Sequence, residues 1–438
     1  MHGNGDYVKS AWIGIVTALA FASPARAEVV TSAADRGLLA VAADGTPYVG
    51  FTVGGELHVA SRSGRWAQAR VARLPGTGAV LAGMRVLERP RRQAALLAED
   101  RQGRWIALVR GSRLTTIARA APGSSFGPAG LTLDAAGRPA VAYAVRRDSG
   151  KTFLRLVTFD RSGRTRVRAI TKKGFPSSGL APGAAPVLVG GRLHVVETYT
   201  SAAIDWAPAR GGGWEGQYIF ASVFGSPQGR VGAVFLTPTL WAAWTQVYPD
   251  AAVVLTSSAA TQMTWTLTHG IFVTLAPGED EPEVAANDWV TLGDDWIVYA
   301  GLVVRGPGSA AWQLDGRLED FAVDADGGRQ LLLVRDGVLE WFRAPAPALP
   351  GIQVRLGPVD GAGRLAGTVV AARGGAVELY RERPHAPREL VATVPVAADG
   401  SFQFEGLDAG VLYRAVYVDP ATGIPFGLLP GVPVGVSD

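Results

Sequence analysis

The sequence predicts an all-β protein, a six- or seven-bladed β-propeller followed by a small β-sandwich. Three observations support this prediction. A strand–turn–strand motif recurs between residues 39 and 333. Its copies begin 34 to 55 residues apart, which brackets the roughly 40–50 residues of a four-stranded propeller blade. Finally, residues 28–438 show no long hydrophobic period of the kind that an amphipathic helix requires.

The N-terminal residues 1–27 have the pattern of a signal peptide. Lys9 precedes an apolar run from Ala11 to Ala22, and a Ser-Pro-Ala-Arg-Ala segment ending at Ala27 has the small-x-small form of a cleavage site. A membrane anchor is the alternative, but about 12 apolar residues are too few for the ~20 that a spanning helix needs. We therefore expect a secreted, periplasmic or cell-surface protein whose mature chain has no integral membrane span.

The repeat itself is best explained as a hairpin. Alternating apolar residues form half-buried strands, and Asp and Gly between them supply the backbone conformations of a tight reversal. The clear copies are residues 39–51, 131–143 and 321–333, and weaker copies of the second strand lie at residues 93–97, 193–197, 240–244 and 296–300. Seven copies in residues 28–343 correspond to about 45 residues per blade. A closed ring of such blades buries both faces of every sheet.

The last blade, counted from Phe321 to Phe342, looks one strand short. Val29, Val30 and Thr31 could supply its outer strand. The ring would then be closed by the beginning of its own chain.

The first blade also carries a family resemblance. Residues 45–51, 55–60 and 64–66 follow the order Gly-x-Pro-x-Val, Gly-x-Leu-x-x-Ala and Gly-x-Trp. This order resembles the blade signature of bacterial secreted β-propellers of the sialidase-like, non-enzymatic type. The resemblance implies a fold and no particular activity. The Ser/Thr-x-Asp-x-Gly-x-x-Trp turn of true sialidases is absent from the sequence.

A second domain is predicted after a Pro-rich linker at residues 344–351, which favours an extended, semi-rigid spacer. Residues 352–438 contain period-two strands separated by turns, which is typical of a sandwich. The predicted strands are residues 367–369, 376–380, 390–394, 399–404 and 413–418. Their order resembles the prealbumin-like fold of carboxypeptidase regulatory-like modules. The self-locking Lys–Asn bond of related modules is excluded, because no lysine follows Lys173.

Composition excludes several function classes. The chain has no cysteine, which removes thiol catalysis and thiolate metal sites. Residues 28–180 hold 25 Lys/Arg against 10 Asp/Glu, whereas residues 181–438 hold 15 against 27. The basic part would attract an anionic partner such as an acidic polysaccharide, unless these charges simply face solvent. Nucleic acid is not expected, because the alternating Arg161, Arg164, Arg166 and Arg168 lack an interleaved aromatic platform.

No catalytic or metal site is predicted, and no cofactor is expected. The Gly123–Gly127 segment matches a nucleophile elbow, but Pro128 follows where a helix is needed, so we interpret it as a loop. Asp324 and Asp326 could offer oxygen ligands to calcium, although turn chemistry also explains them. The histidines do not have metal-ligand spacing; His58 and His194 are predicted to be packing or surface residues.

Two further residue sets bear on function. The acids that an assembled ring could pair for glycoside cleavage are Asp288, Asp294, Asp295, Glu319 and Asp320. Trp206 and Trp214, which flank a Gly-rich loop with Arg210, are predicted to be exposed. Trp241, Trp244 and Trp265 are predicted to be core.

Trp206, Arg210 and Trp214 are thus the candidate ligand-binding residues. The sequence favours a non-catalytic binding or scaffold protein that recognises a surface glycan or protein through propeller loops. A glycan-active propeller enzyme, a hydrolase or lyase, and a purely structural surface component remain as alternatives.

Overall fold

The computed structural model describes residues 28–427 with gaps. The gaps are residues 33, 35–36, 77, 177–181, 200–201, 222–233, 237–239, 249–250, 260–264, 275–288, 293–295, 300–301, 306–310, 327, 345–351, 383–387 and 409–410. Among the described residues there are 37 strands and no helix, hence no helix that is long and apolar enough to span a membrane. The predicted signal peptide and nearly all of the predicted linker lie outside these residues.

The first three blades follow β1 (Glu28–Thr31) in chain order. Blade 1 comprises β2 (Gly37–Val41), β3 (Pro47–Val53), β4 (Glu56–Ser63) and β5 (Arg65–Arg73), and blade 2 comprises β6 (Ala79–Leu87), β7 (Gln93–Asp100), β8 (Trp105–Arg110) and β9 (Arg113–Arg119). Blade 3 comprises β10 (Ser125–Phe126), β11 (Gly130–Leu133), β12 (Pro139–Arg146), β13 (Lys151–Phe159), β14 (Thr165–Ala169) and β15 (Phe175–Pro176). In blade 3, β10 and β11 both pair with β12, and β14 and β15 both pair with β13.

The next three blades are simple four-stranded antiparallel sheets. Blade 4 comprises β16 (Gly183–Val189), β17 (Arg192–Tyr199), β18 (Ala202–Pro208) and β19 (Trp214–Ala221), and blade 5 comprises β20 (Val234–Leu236), β21 (Leu240–Tyr248), β22 (Ala251–Ala259) and β23 (Trp265–Thr274). Blade 6 comprises β24 (Trp289–Leu292), β25 (Trp296–Tyr299), β26 (Leu302–Arg305) and β27 (Ala311–Gln313). Trp241, Trp244 and Trp265 are predicted to be core. The structure describes the backbone of their strands but not these side chains.

Blade 7 is completed by β1, the first described strand. Its sheet runs β28 (Arg317–Val323), β29 (Arg329–Arg335), β30 (Val338–Ala344) and then β1. β1 pairs antiparallel with β30, with Glu28 opposite Trp341 and Thr31 opposite Leu339. The prediction that Val29–Thr31 supplies the missing outer strand is therefore confirmed.

The seven innermost strands form a closed ring. The contacts run from β2 to β6, β11, β16, β20, β24 and β28, and β28 contacts β2 again. The fold is thus a seven-bladed propeller, which confirms the predicted fold class and settles its blade number. All seven predicted second strands are the second strands of blades, β3, β7, β12, β17, β21, β25 and β29.

The repeated turn joins the first two strands of a blade. In blade 3, Oδ1 of Asp134 accepts hydrogen bonds from the backbone N–H groups of Ala136 and Arg138, and Gly137 has φ +72°, a conformation that glycine adopts without strain. Asp44 accepts from the N–H of Thr46 in the same position of blade 1. Asp therefore serves this turn by bonding its own backbone, as the sequence pattern predicts.

Alternation along each strand distributes side chains between neighbouring blades. In β12, Val141 and Tyr143 pack against blade 2, whereas Ala140, Ala142 and Ala144 pack against blade 4. Because side chains of a strand point to opposite faces in turn, both faces of this sheet are buried between blades. The hydrophobic core thus lies in layers between sheets.

The C-terminal sandwich has two sheets. One orders β31 (Gln353–Val359), β32 (Leu365–Val370) and β35 (Ser401–Phe404), and the other orders β34 (Glu389–Pro395), β33 (Ala376–Arg381), β36 (Tyr413–Val418) and β37 (Pro425–Gly427). Phe404, Tyr417 and Phe426 are fully buried between the sheets. All five predicted strands are present, while β31 and β37 were not anticipated by the sequence pattern.

The sandwich packs directly on blade 7. Leu331 and Phe342 of blade 7 share one hydrophobic cluster with Ile352 and the sandwich core, and Leu314 forms a β-bridge with Phe426. This contact differs from the expected separation by a spacer. The sandwich thus buries apolar side chains of blade 7 in a shared core.

A buried ionic cluster fastens the same junction. The Asp315 side chain, which is fully buried, accepts charged hydrogen bonds from Arg388 and Arg414 of the sandwich at 3.0 and 2.9 Å. Arg335 of blade 7 approaches the same carboxylate at 3.8 Å. Burial alone would raise the pKa of Asp315, but the two sandwich arginines outweigh it and lower the pKa. We call Asp315, Arg335, Arg388 and Arg414 the junction cluster.

Candidate ligand-binding groove between blades 3 and 4

A groove of about 390 Å³ opens between blades 3 and 4. Blade 3 contributes Leu156, Arg168 and the Asp134–Arg138 turn, and blade 4 contributes Leu193 and Trp214. This volume lies at the small end of the ~300–1,000 Å³ typical of ligand pockets. Its lining combines apolar, aromatic and cationic groups, which is the composition needed to hold a small amphipathic ligand and orient it.

Trp214 reaches the groove from the first position of β19. It pairs across the strands with Pro208, and its half-buried indole packs against the core between blades 3 and 4. In the preceding turn, the N–H of Ala209 donates to the carbonyl of Gly213 and the N–H of Gly212 donates to the carbonyl of Ala209. Gly213 has φ +88°, which favours glycine. The Gly-rich segment is thus a defined turn that holds Trp214 at the groove.

Arg210 lies on this turn and is exposed. It is close in sequence to Trp214 but is not part of the groove lining. Of the three candidate ligand-binding residues, Trp214 thus lines the groove and Arg210 lies on the turn that precedes β19.

Trp206, the third, is held differently. Its indole lies over Gly216, where a Cβ would come within 2.9 Å of the ring, and its Nε1 donates a 2.9 Å hydrogen bond to Oε2 of Glu197. Trp206 therefore supports a carboxyl group inside the blade and does not line the groove.

Glu197 is a buried acid with a strongly raised pKa. It is fully buried, and burial raises its pKa to about 7 despite the opposing hydrogen bond from Trp206. Its other oxygen, Oε1, finds no hydrogen-bond partner among the described residues. A carboxyl group in this state is protonated for much of the time at neutral pH, but Glu197 does not line the groove.

The acid and the two arginines of the groove differ in their freedom to bind a ligand. Burial alone would raise the pKa of Asp134, but hydrogen bonds from Arg138 and the turn backbone outweigh it and lower the pKa. Asp134 and Arg138 thus neutralise each other at 2.7 Å. Arg168 is exposed on β14 and forms no ion pair with a described residue.

Sequence reasoning missed Arg168 as a groove residue. Its alternation with Arg166 along one strand was visible, but the neighbouring blade that supplies Trp214 is brought there only by the ring. The missing information was the pairing of blades 3 and 4 in space.

The other sequence candidates have structural roles where the structure describes them. Glu319 and Asp320, considered as glycosidase acids, accept hydrogen bonds from the N–H groups of Gly37 and Leu39 in blade 1. They therefore join blade 7 to blade 1. Asp288, Asp294 and Asp295 lie outside the described residues.

The elbow-like segment forms a turn and the short strand β10. Ser125 and Phe126 form the two-residue strand β10 against Arg146 and Val145, and Ser124 donates from its backbone N–H to the carbonyl of Ala121. No helix follows it in the described part of the chain. The geometry of a nucleophile elbow is therefore not formed here.

The two histidines described have packing and pairing partners. His58 stacks on Phe51 with ring centroids 5.4 Å apart, and Nδ1 of His194 lies 3.0 Å from a carboxylate oxygen of Asp205. Both fit the predicted packing and surface roles. His269 and His385 fall where no side chain is described.

The calcium alternative has a competing explanation. Oδ2 of Asp324 accepts from Nε of Arg343 at 2.9 Å, and Asp326 accepts from the same guanidinium at 2.8 Å. Asp326 also accepts from the backbone N–H of Gly328. Turn formation and one arginine thus account for three of the four carboxylate oxygens, whereas Oδ1 of Asp324 is buried without a hydrogen-bond partner among the described residues. The described residues contain no group of three or more metal-ligating side chains.

Comparison with known proteins yields fold likeness alone. No family model matches the chain, and no curated protein matches it. Among solved structures, an inactive virginiamycin B lyase from Staphylococcus aureus aligns at 11% identity over 73% of this chain and 98% of that one, with a TM-score of 0.45. The fucose-recognising six-bladed lectin of Aleuria aurantia aligns at 11% identity over 74% and 97%, with a TM-score of 0.37.

A Hadza microbial sialidase is also similar, at 9% identity over 73% of this chain and 68% of that one, with a TM-score of 0.38. These structures include enzymes and a lectin on one general architecture. At such identities the likeness concerns the β-propeller fold, and the activity must be argued from the site.

Proposed function

We propose that the protein is an exported, non-catalytic binding protein that recognises a surface glycan through the groove between blades 3 and 4. The observation that carries this proposal is Trp214, a half-buried indole held by a tight turn at a groove of about 390 Å³. The face of an aromatic ring offers a large apolar contact at little conformational cost. A sugar ring has a complementary apolar face and polar edges.

The groove supports binding better than catalysis. Asp134, the carboxylate among its lining residues, is neutralised by Arg138, whereas glycoside cleavage uses two carboxyl groups at a defined separation. Glu197 has the perturbed pKa of a general acid but lies away from the lining. We retain a protein ligand as the alternative to a glycan in the same binding role.

Export and the sandwich belong to the same proposal. Residues 1–27 would direct secretion to the cell exterior or periplasm, and residues 352–438 would form a carboxypeptidase regulatory-like module at the end of the propeller. The junction cluster supports a role in which this module holds the propeller in a fixed orientation.

The test is a binding and turnover assay on the purified mature chain. The protein is passed over immobilised glycans, and retention is recorded together with the masses of the glycans recovered. Retention without a mass change supports the proposal. Product formation would replace it with the enzyme, and absence of both would contradict glycan recognition.

Trp214→Ala should lower retention about tenfold or more, since an aromatic anchor is removed. Trp105→Ala provides the control, because Trp105 is also a half-buried tryptophan at the first position of a strand but packs between blades 1 and 2. Equal losses in the two variants would show that the effect is structural.

A further inference from the structure

The rim of the groove carries positive charge that no described acid neutralises. Arg168 is exposed on β14 and forms no ion pair with a described residue. Arg192 is also exposed, and its guanidinium donates to the carbonyl of Pro208, itself a groove residue, at 3.1 Å. Both guanidinium groups therefore keep donors available for a ligand at the groove.

The nearby acids are hydrogen-bonded within their own turns or lie on the opposite face of the strand. Asp134 is paired with Arg138. Asp160 accepts from the backbone N–H groups of Ser162 and Arg164 in its own turn. Glu215 is adjacent to Trp214 and so points to the opposite face of β19. Among the lining residues, Asp134 stands against Arg138 and Arg168, so the groove lining carries a formal charge of +1.

The surrounding surface has the same sign. Residues 28–180, which contain blades 1–3, hold 25 Lys/Arg against 10 Asp/Glu. The outer strand β14 alone presents Arg166 and Arg168 in a row that is exposed at every position. Such a field raises the encounter rate of polyanions and is screened by salt.

Apolar groups complete the chemistry of the site. Leu156, Leu193 and Trp214 line the same groove as Arg168. A ligand that contacts both sets combines an apolar face with an anionic group, as an acidic sugar ring does in one small unit. A guanidinium binds a carboxylate or sulfate through two parallel hydrogen bonds.

From this arrangement we propose that the groove selects an acidic saccharide, whose carboxylate or sulfate binds Arg168 while its ring packs on Trp214. This inference rests on the proposed glycan-binding function and narrows it to one substrate class. Arg192 and Arg210 would attract adjacent units of the same chain without holding the primary unit.

Calorimetric titrations test the inference with four probes of matched length. The probes are an oligogalacturonide for carboxylate, a sulfated galactan oligosaccharide for sulfate, a neutral cello-oligosaccharide, and a single-stranded oligodeoxynucleotide for a non-saccharide polyanion. Each is titrated at low and moderate salt into the purified mature chain. We expect one of the acidic saccharides to bind at least tenfold more tightly than the neutral one, and its affinity to fall with salt.

Variants then assign the selectivity to the groove. Arg168→Ala should lower the affinity for the acidic saccharide about tenfold more than that for the neutral one, and Arg168→Lys should recover only part of this difference because it cannot bind in a bidentate manner. Arg119→Ala is the matched control: it removes an exposed arginine from the outer strand of blade 2 and should change affinity less than twofold.

The outcomes separate the two proposals. Equal affinity for neutral and acidic saccharides, both lost in Trp214→Ala, would overturn the acidic selectivity and leave glycan binding intact. Equal losses in Arg168→Ala and Arg119→Ala would overturn the site, because attraction would then be diffuse. Tighter binding of the oligonucleotide would overturn the saccharide class, and failure of every saccharide to bind would overturn both proposals.

Discussion

Glu197 shows how one buried residue links stability to pH. Its folded-state pKa is raised from 4.5 to about 7 because it is buried beside Trp206. For an acid with a raised folded pKa, the folded state retains a proton that the unfolded state has already released. The stabilising contribution is complete below pH 4.5 and is lost as the pH rises to about 7.

We therefore predict that Glu197→Gln removes a pH dependence from the protein. A shift of this size corresponds to about 3 kcal/mol, so the free energy of unfolding of the wild type should fall relative to that of the variant between pH 4.5 and 7. Denaturant titrations at several pH values measure this difference. Glu215→Gln, at an exposed position, is the control, and parallel pH profiles for wild type and Glu197→Gln would refute the assignment.

Residue types also set the limit of what the sequence reveals about the site. Trp214 and Arg210 could be selected as candidates because a Gly-rich turn between two tryptophans is recognisable from the sequence alone. Arg168 could not, since its neighbour across the groove lies more than 40 residues away in the sequence and on another blade. Trp206 flanks the same Gly-rich turn as Trp214, so the sequence does not separate them. In the structure, Trp206 donates a hydrogen bond to Glu197, whereas Trp214 lines the groove.

At the scale of the element, β1 joins two blades. Val30 is 2% exposed in the core between blades 7 and 1, whereas neighbouring Val29 is 55% exposed. The Arg62 guanidinium of blade 1 binds Glu28 at 2.6 Å and lies 5.0 Å above the ring of Trp341. The strand therefore contributes packing and charge as well as backbone pairing.

Deletion of residues 28–34 should lower the thermal midpoint by on the order of 5 °C or more, because β30 would lose its outer partner. Differential scanning calorimetry measures this midpoint. Within the strand, Val30→Ala should be destabilising and Val29→Ala nearly neutral. An unchanged midpoint after the deletion would mean that the ring does not depend on this closure.

The strands differ in how clearly the sequence predicts them. The second strands of blades 2 and 3 were predictable because they are packed on both faces and therefore read as continuous apolar runs. Outer strands such as β5 and β14 carry mainly exposed residues, so their alternation is weak. The three-residue strand β37 is too short to show any period, and its pairing depends on β36.

At the scale of the whole molecule, the junction cluster links the sandwich to the propeller ring. Arg388 and Arg414 come from the sandwich. In the propeller, Asp315 lies just before β28, and Arg335 is the last residue of β29. The sequence predicted both folds but not their contact, because the cluster draws its charges from positions up to 99 residues apart. The structure shows that Asp315 is buried at the junction, where it accepts hydrogen bonds from Arg388 and Arg414 of the sandwich.

Asp315→Asn should loosen this junction, since three arginines would lose their shared counter-ion. Breaking a buried pair by removing one partner costs about 3–5 kcal/mol. Limited proteolysis should then release the sandwich faster than in the wild type. Asp408→Asn is the control, because its pair with Arg381 is exposed and such pairs contribute about 0–1 kcal/mol; equal proteolysis rates in the two variants would argue against a fastening role.

The antiparallel closure of the ring also has a mechanical consequence. The start of β1 and the end of β30 lie on the same side of the seam, with Glu28 opposite Trp341. Tension applied at Glu28 and Ala344 would therefore peel the hydrogen bonds apart one after another instead of loading them together. We expect single-molecule stretching between these two points to open the propeller first at this seam, at low force, before any other blade separates.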